Sequence, residues 1–273
     1  MKIGIFDSGI GGITVLHEVL KILPDEEYIY YADTINVPYG PKPKEEVKKY
    51  VFHAIDFLVS QNVQAVVIAC NTATSVAIED LRATYSIPII GMEPAVKPAV
   101  EHNKDCTKRV LVTATALTLK EEKLKNLISK VDSHHIVDLL PLPELVRFAE
   151  SCVFEDQTVL AYLQRQLTAY EINKYETVVL GCTHFPLYKD VFRKLFPPHV
   201  SIIDGACGTA RNLYRILNEM DNYSEGNGCI TFYNSGIKVE DSNTLNKYRE
   251  LFQRLDSLSQ QNKLNKPGVI MKV

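Results

Sequence analysis

The stretch "VVIACNTAT", residues 66 to 74, runs three β-branched apolar residues and an alanine into a cysteine, then turns polar with amide and hydroxyl side chains. A second stretch, "VVLGCTHFP" at 178 to 186, repeats the order: apolar run, small residue, cysteine, polar residues. A short continuous apolar run bounded by turn chemistry reads as a strand buried on both faces, and the helical spacing after each run predicts the helix that covers it. The N-terminal "KIGIFDS" at 2 to 8 has its own partner in "RVLVTAT" at 109 to 115. These internal likenesses predict two related α/β halves facing each other.

Working outward, strands are expected at 2 to 6, 28 to 32, 64 to 69, 87 to 91, 109 to 113, 135 to 140, 177 to 181, 200 to 203 and 229 to 233. Between them, Val47, Tyr50, Val51, Ala54, Ile55 and Leu58 follow the i, i+3, i+4, i+7 spacing of an amphipathic helix, as do Leu124, Leu127, Ile128 and Val131. Repeated strand, helix, strand order predicts the α/β class, with mostly parallel sheets covered by helices on both faces. The proline-rich "EPAVKPA" and the glycine-rich "DGACGTA" at 204 to 210 mark two chain crossings. Residues 1–94 plus 208–273 are then expected to form one discontinuous domain and residues 95–207 the second, with a plain split near 95 as the competing division. The polar "QQNKLNKPGVIMKV" at the end reads as a loosely held tail.

A chain of 273 residues has ample length for a packed core. Thirty Lys and Arg against 33 Asp and Glu leave a formal charge of -3, with no basic cluster of the kind nucleic acid requires. No apolar run approaches the ~20 residues of a membrane span, and none near the start is long enough for a signal peptide. A soluble cytoplasmic protein is the expectation. The six cysteines form no C-x-x-C pair, which favours free thiols over disulfides or structural zinc. Cys106, Cys152, Cys207 and Cys229 read as small buried hydrophobes.

The loop "FDSGIGG" at 6 to 12 invites a dinucleotide reading, because Gly9, Gly11 and Asp33 partly satisfy the Rossmann fingerprint. Thr14 occupies the third glycine position, however, and the Asp7 carboxylate would repel a pyrophosphate at the strand end. Ligands of parallel α/β sheets sit at the carboxyl ends of strands, where both Cys70 and Cys182 fall. Each is expected to precede a helix N-terminus, whose free amides and positive dipole end favour a thiolate or a bound carboxylate.

A phosphatase loop needs an arginine six residues after its cysteine, but Val76 and Tyr188 stand there. A cysteine hydrolase could pair Cys182 with His184 but leaves Cys70 idle. Zinc held by Cys70, Cys182 and His184 lacks the paired-ligand spacing of specific zinc motifs. Two similar bases on opposite sides of one carbon use both cysteines: a two-base racemase or epimerase, with Asp7 and His184 as the natural acid and base neighbours.

The blocks "IFDSGIGG" (5 to 12), "YADTINVPYG" (31 to 40), "VVIACNTAT" and "VVLGCTHFP" strongly resemble the glutamate racemases of the aspartate and glutamate racemase superfamily. The likeness extends to "ITFYNSG" at 230 to 236. It implies a cofactor-independent, metal-free cytoplasmic homodimer that interconverts L-glutamate and D-glutamate in a cleft between two pseudo-symmetric domains and supplies D-glutamate for peptidoglycan, with neither nucleic acid nor membrane as partner. Cys70 matches the family base acting on D-glutamate and Cys182 the base acting on L-glutamate, with Asp7, His184 and Glu150, in "FAES", assisting. Asp7, Ser8, Tyr39, Gly40, Asn71, Thr72, Thr115, Thr118, Thr183 and His184 match substrate-contact positions. Ile35 and Asn36 depart from the family's Gly-Asp-Thr-Ala-Arg type of run. An aspartate or other amino-acid racemase, a nucleotide-binding oxidoreductase and a binding protein for acidic amino acids are the rival readings.

Overall fold

The computed structural model describes residues 1–103, 107–154, 156–220 and 226–260; Cys106 and the expected tail beyond 260 lie outside them. In chain order the elements are β1 (Lys2–Asp7), α1 (Ile13–Leu20), β2 (Glu27–Ala32), α2 (Lys44–Ser60), β3 (Ala65–Ile68), α3 (Asn71–Thr84), β4 (Ile89–Gly91) and α4 (Val96–His102). The second half runs β5 (Arg109–Ala114), α5 (Ala116–Lys120), α6 (Glu122–Val131), β6 (Val137–Pro141), α7 (Pro143–Glu150), α8 (Asp156–Leu167), β7 (Tyr175–Gly181), α9 (Lys189–Leu195) and β8 (Ser201–Asp204). The chain then returns through α10 (Ala206–Asn218), β9 (Ile230–Asn234), β10 (Ile237–Lys238) and α11 (Ser242–Gln260).

Two sheets result, ordered β10-β9-β2-β1-β3-β4 and β6-β5-β7-β8. Every pairing is parallel except the short β9–β10 hairpin. Within the first sheet the run β2-β1-β3-β4 has the connectivity of β6-β5-β7-β8 in the second, so the repeat legible in the sequence is a repeat of topology. It places β3 and β7, the strands that lead into Cys70 and Cys182, at equivalent positions. β9 adds itself beside β2 and so brings residues 230–234 into the first sheet.

Helices cover both faces of each sheet, as all-apolar parallel strands require. One core fills the outer face of the first sheet under α2 and α3, and another the outer face of the second under α4 and α6. A third runs continuously from Ile10, Ile13 and Leu16 through α10 and α11 to Leu145, Phe185 and Phe192, so the two halves share it. The two crossings between halves lie side by side: a Cβ on Gly205 would come within 2.7 Å of the Glu93 carbonyl oxygen. Cys152, Cys207 and Cys229 are only half-buried, against the expectation of full burial, because each lies at an element end rather than under a sheet. Among the described residues, no helix is long and apolar enough to cross a membrane.

Candidate active site

The carboxyl ends of β1, β3 and β7 meet around one cleft of about 630 Å³, open mouth included. Ser8, Tyr39, Gly40, Cys70, Asn71 and Thr72 line it from the first half, and Thr115, Cys182, Thr183 and His184 from the second. Asp7, Glu150 and Thr118, also singled out in the sequence, stand behind that lining. Both cysteines thus face a single space from equivalent strand ends.

Their surroundings differ. Cys70 caps α3: its Sγ accepts the Ala73 N–H at 3.4 Å and lies 3.7 Å from the Ser8 hydroxyl. The expected helix N-terminus is present here. After Cys182 it is not, because Phe185–Tyr188, with Pro186 in its first turn, forms a 3₁₀ turn before α9 begins. Its place is taken by the imidazole of His184, whose Nδ1 lies 3.5 Å from Cys182 Sγ. The other ring nitrogen, Nε2, is 2.6 Å from Glu150 Oε1, which also accepts the Ile10 N–H at 2.9 Å. Glu150 ends α7 and Ile10 follows β1, so this chain of bonds crosses between the halves.

Burial alone would push the Glu150 carboxyl up, but the hydrogen bond and charge of His184 hold it below the usual carboxylate range. Burial works against the imidazolium too, and the Cys182 sulfur and Glu150 carboxylate overcome it, holding His184 well above its ordinary value. The histidine is therefore a buried cation between a carboxylate and a sulfur. Burial pushes the Cys70 thiol up to about 12, with the Asp7 charge adding to it, so Cys70 holds its proton at neutral pH.

Asp7, fully buried, is raised to about 6, chiefly by desolvation, against the opposing charge of His184 and the Gly9 N–H that donates to Oδ2 at 3.0 Å. Thr183 donates its hydroxyl to Asp7 Oδ1 at 3.1 Å, a second bond between the halves. A third is a ring of hydroxyls: Thr72 lies 2.9 Å from Thr115 and 3.0 Å from Thr118, and those two are 3.0 Å apart. Of the three, Thr118 stands off the cleft lining.

Asp33, the acid that a ribose would need, is turned to other work. It accepts the Tyr39 hydroxyl at 2.6 Å and the Asn36 amide and Ser235 hydroxyl at 3.0 Å, which fixes Tyr39 in the cleft wall. Asn36, a departure from the family run, is thus a brace for that wall, while Ile35 is exposed. Asn71 donates its amide to the Met92 carbonyl at 3.2 Å, and its buried Oδ1 has no partner among the described residues. Pro143 and Val146 of the first turn of α7 and Arg147 of its last also line the cleft. Sequence reasoning missed them, because an amphipathic helix with scattered charges carries no motif.

The family model for Asp/Glu/hydantoin racemases matches residues 12–212. Glutamate racemase 2 of Bacillus subtilis is 55% identical over 94% of this chain and 97% of its own length. Among solved structures, Escherichia coli glutamate racemase in complex with L-glutamate and the activator UDP-MurNAc-Ala superposes with a TM-score of 0.78 at 26% identity, covering 95% of this chain and 94% of that one. Glutamate racemase of Francisella tularensis in complex with D-glutamate gives 0.77 at 27% identity, over 92% and 93%.

Proposed function

The chain belongs to the Asp/Glu/hydantoin racemase family, and from that premise we propose that it interconverts L-glutamate and D-glutamate with Cys70 and Cys182 as opposed acid and base. The observation that carries the reading is that both sulfurs face one cleft from equivalent strand ends of the two halves. Structures of relatives holding L-glutamate in one case and D-glutamate in another support the choice of substrate.

For L-glutamate, the Cys182 sulfur, beside the His184 cation, takes the Cα proton as its thiolate. The Cys70 thiol, protonated at neutral pH, delivers its own proton to the opposite face. The chiral centre inverts, leaving Cys182 as the thiol and Cys70 as the thiolate, which is the arrangement the reverse reaction starts from. His184, held by Glu150, and Asp7, held by Gly9 and Thr183, take up the charge change on either side. The hydroxyls of Ser8 and Thr72 supply donors for the substrate carboxylates and the unpartnered Oδ1 of Asn71 offers an acceptor to the ammonium, and a cleft closed over the substrate strengthens every such contact in the carbanion-like transition state.

The units that close around the substrate are residues 1–94 plus 208–273 and residues 95–207, a division supported by the return of β9 to the first sheet. Supply of D-glutamate to peptidoglycan, action in the cytoplasm and work as a homodimer follow from the family likeness. The direct test is to incubate the protein, without added cofactor, with L-glutamate, D-glutamate or L-aspartate and follow optical activity. Both glutamate enantiomers should decay to the racemate and aspartate should hold its rotation. Unchanged rotation with glutamate would overturn the reading, and faster loss with aspartate would transfer it to an aspartate racemase.

A further inference from the structure

The substrate carries two carboxylates and one ammonium, a net negative charge, yet the acids nearest the reacting centre, Asp7 and Glu150, are themselves negative. Their buried counter-charge, His184, is committed to Glu150 and Cys182. Among the described residues, one lysine or arginine lines the cleft: Arg147. Its side chain is 63% exposed, so it stands at the mouth, while Cys70 and Cys182 at the bottom are 5% and 6% exposed.

Arg147 Nη1 donates to Glu144 Oε1 at 2.9 Å, an i, i+3 pair on α7 between two exposed side chains. Such pairs contribute little and exchange readily with other anions. Nε and Nη2 have no hydrogen-bond partner among the described residues, which leaves part of the planar guanidinium fork open to a second carboxylate. α7 also ends in Glu150, so the helix that fixes the catalytic imidazolium holds Arg147 one turn earlier.

Resting on the function proposed above, we infer that Arg147 is the substrate-capturing cation of this enzyme: it draws a carboxylate of incoming glutamate to the mouth of the cleft, exchanging Glu144 for it. It takes no part in proton transfer. Its contribution belongs to the encounter and to selection of an acidic side chain over a neutral one, and it weakens with ionic strength as a partly exposed charge must.

The test measures kcat and KM for both enantiomers at low salt and near 0.5 M salt, with D-glutamate affinity by calorimetry, for wild type, Arg147→Gln, Arg147→Lys and Glu144→Gln. Arg147→Gln should raise KM and weaken binding roughly threefold to tenfold at low salt, with kcat within about twofold and the difference collapsing at high salt. Arg147→Lys should recover most of the loss, and Glu144→Gln should not raise KM. Unchanged KM in Arg147→Gln, a fall in kcat at constant KM, a loss indifferent to salt, or equal damage from Glu144→Gln would each overturn the inference, the last by showing that the ion pair merely holds α7. A wild type that neither racemises nor binds glutamate overturns the function and this inference together, whereas an active wild type with an indifferent Arg147→Gln overturns this inference alone.

Discussion

A carboxylate as deeply buried as Asp7 is held at a cost, and the cost depends on pH. Its ordinary value is 3.8 and burial raises it to about 6 in the fold. The folded state therefore binds this proton more tightly than the unfolded chain, so the group favours folding most below pH 4, and that advantage is lost as pH rises through 6. Asp7→Asn should accordingly gain about 1–3 kcal/mol of stability at pH 7.5 relative to wild type and nothing at pH 4, read by urea denaturation at both values. Equal differences at the two pH values would contradict the buried-charge account. Glu150→Gln should lower kcat by roughly 10²-fold and bring the His184 titration, followed by NMR, down toward that of an ordinary histidine. An unmoved titration would show that Glu150 does not hold the proton there. At this scale, cysteines and acids at strand ends were legible because their positions carry chemistry by themselves. The bracing role of Asp33 and the place of Arg147 at the cleft were not legible, because Ser235 closes on Asp33 from 202 residues away and α7 meets the cleft only once the two halves are together.

The glycine turn after β1 shows how packing between the halves dictates residue type. None of Gly9, Gly11 and Gly12 has positive φ, a property found among described glycines at Gly228 and Gly236. The requirement is space. A Cβ on Gly9 would sit 1.9 Å from Glu150 Oε1, and one on Gly11 2.4 Å from the Thr183 hydroxyl and 2.6 Å from His184 Nδ1. The turn is bare so that Glu150, Thr183 and His184 of the other half can press against it. Gly9→Ala should therefore displace Glu150 and cost about as much turnover as Glu150→Gln, roughly 10²-fold, while the Gly9→Ala/Glu150→Gln double variant is little worse than either alone. Additive losses would separate the two effects. All nine expected strands form, since each is a compact apolar run. The two-residue β10 was too short to register, and the 3₁₀ turn after Cys182 was taken for a helix start, because Pro186 suits the first turn of either.

For the whole molecule, parallel topology and two related halves were visible in the repeated strand and cysteine blocks. The single core joining them was not, because it depends on α10 and α11 returning to pack between elements far apart in sequence. The bonds Thr183 to Asp7, Glu150 to Ile10 and Thr72 to Thr115 assemble the site only when the halves meet. Enantiomers have equal free energy in water, so any variant must lose kcat/KM equally in both directions. Cys70→Ala and Cys182→Ala should each abolish racemisation of both enantiomers, by at least ~10³-fold, with the fold retained by circular dichroism. The central claim, two opposed sulfur acids and bases, is tested most directly by running the reaction from L-glutamate in heavy water and examining both enantiomers at early times. Two bases predict that newly formed D-glutamate carries deuterium at Cα while remaining L-glutamate keeps its protium. Early deuterium in the remaining L-glutamate, or protium carried over into the D-product, would mean that one group serves both faces and would contradict the account.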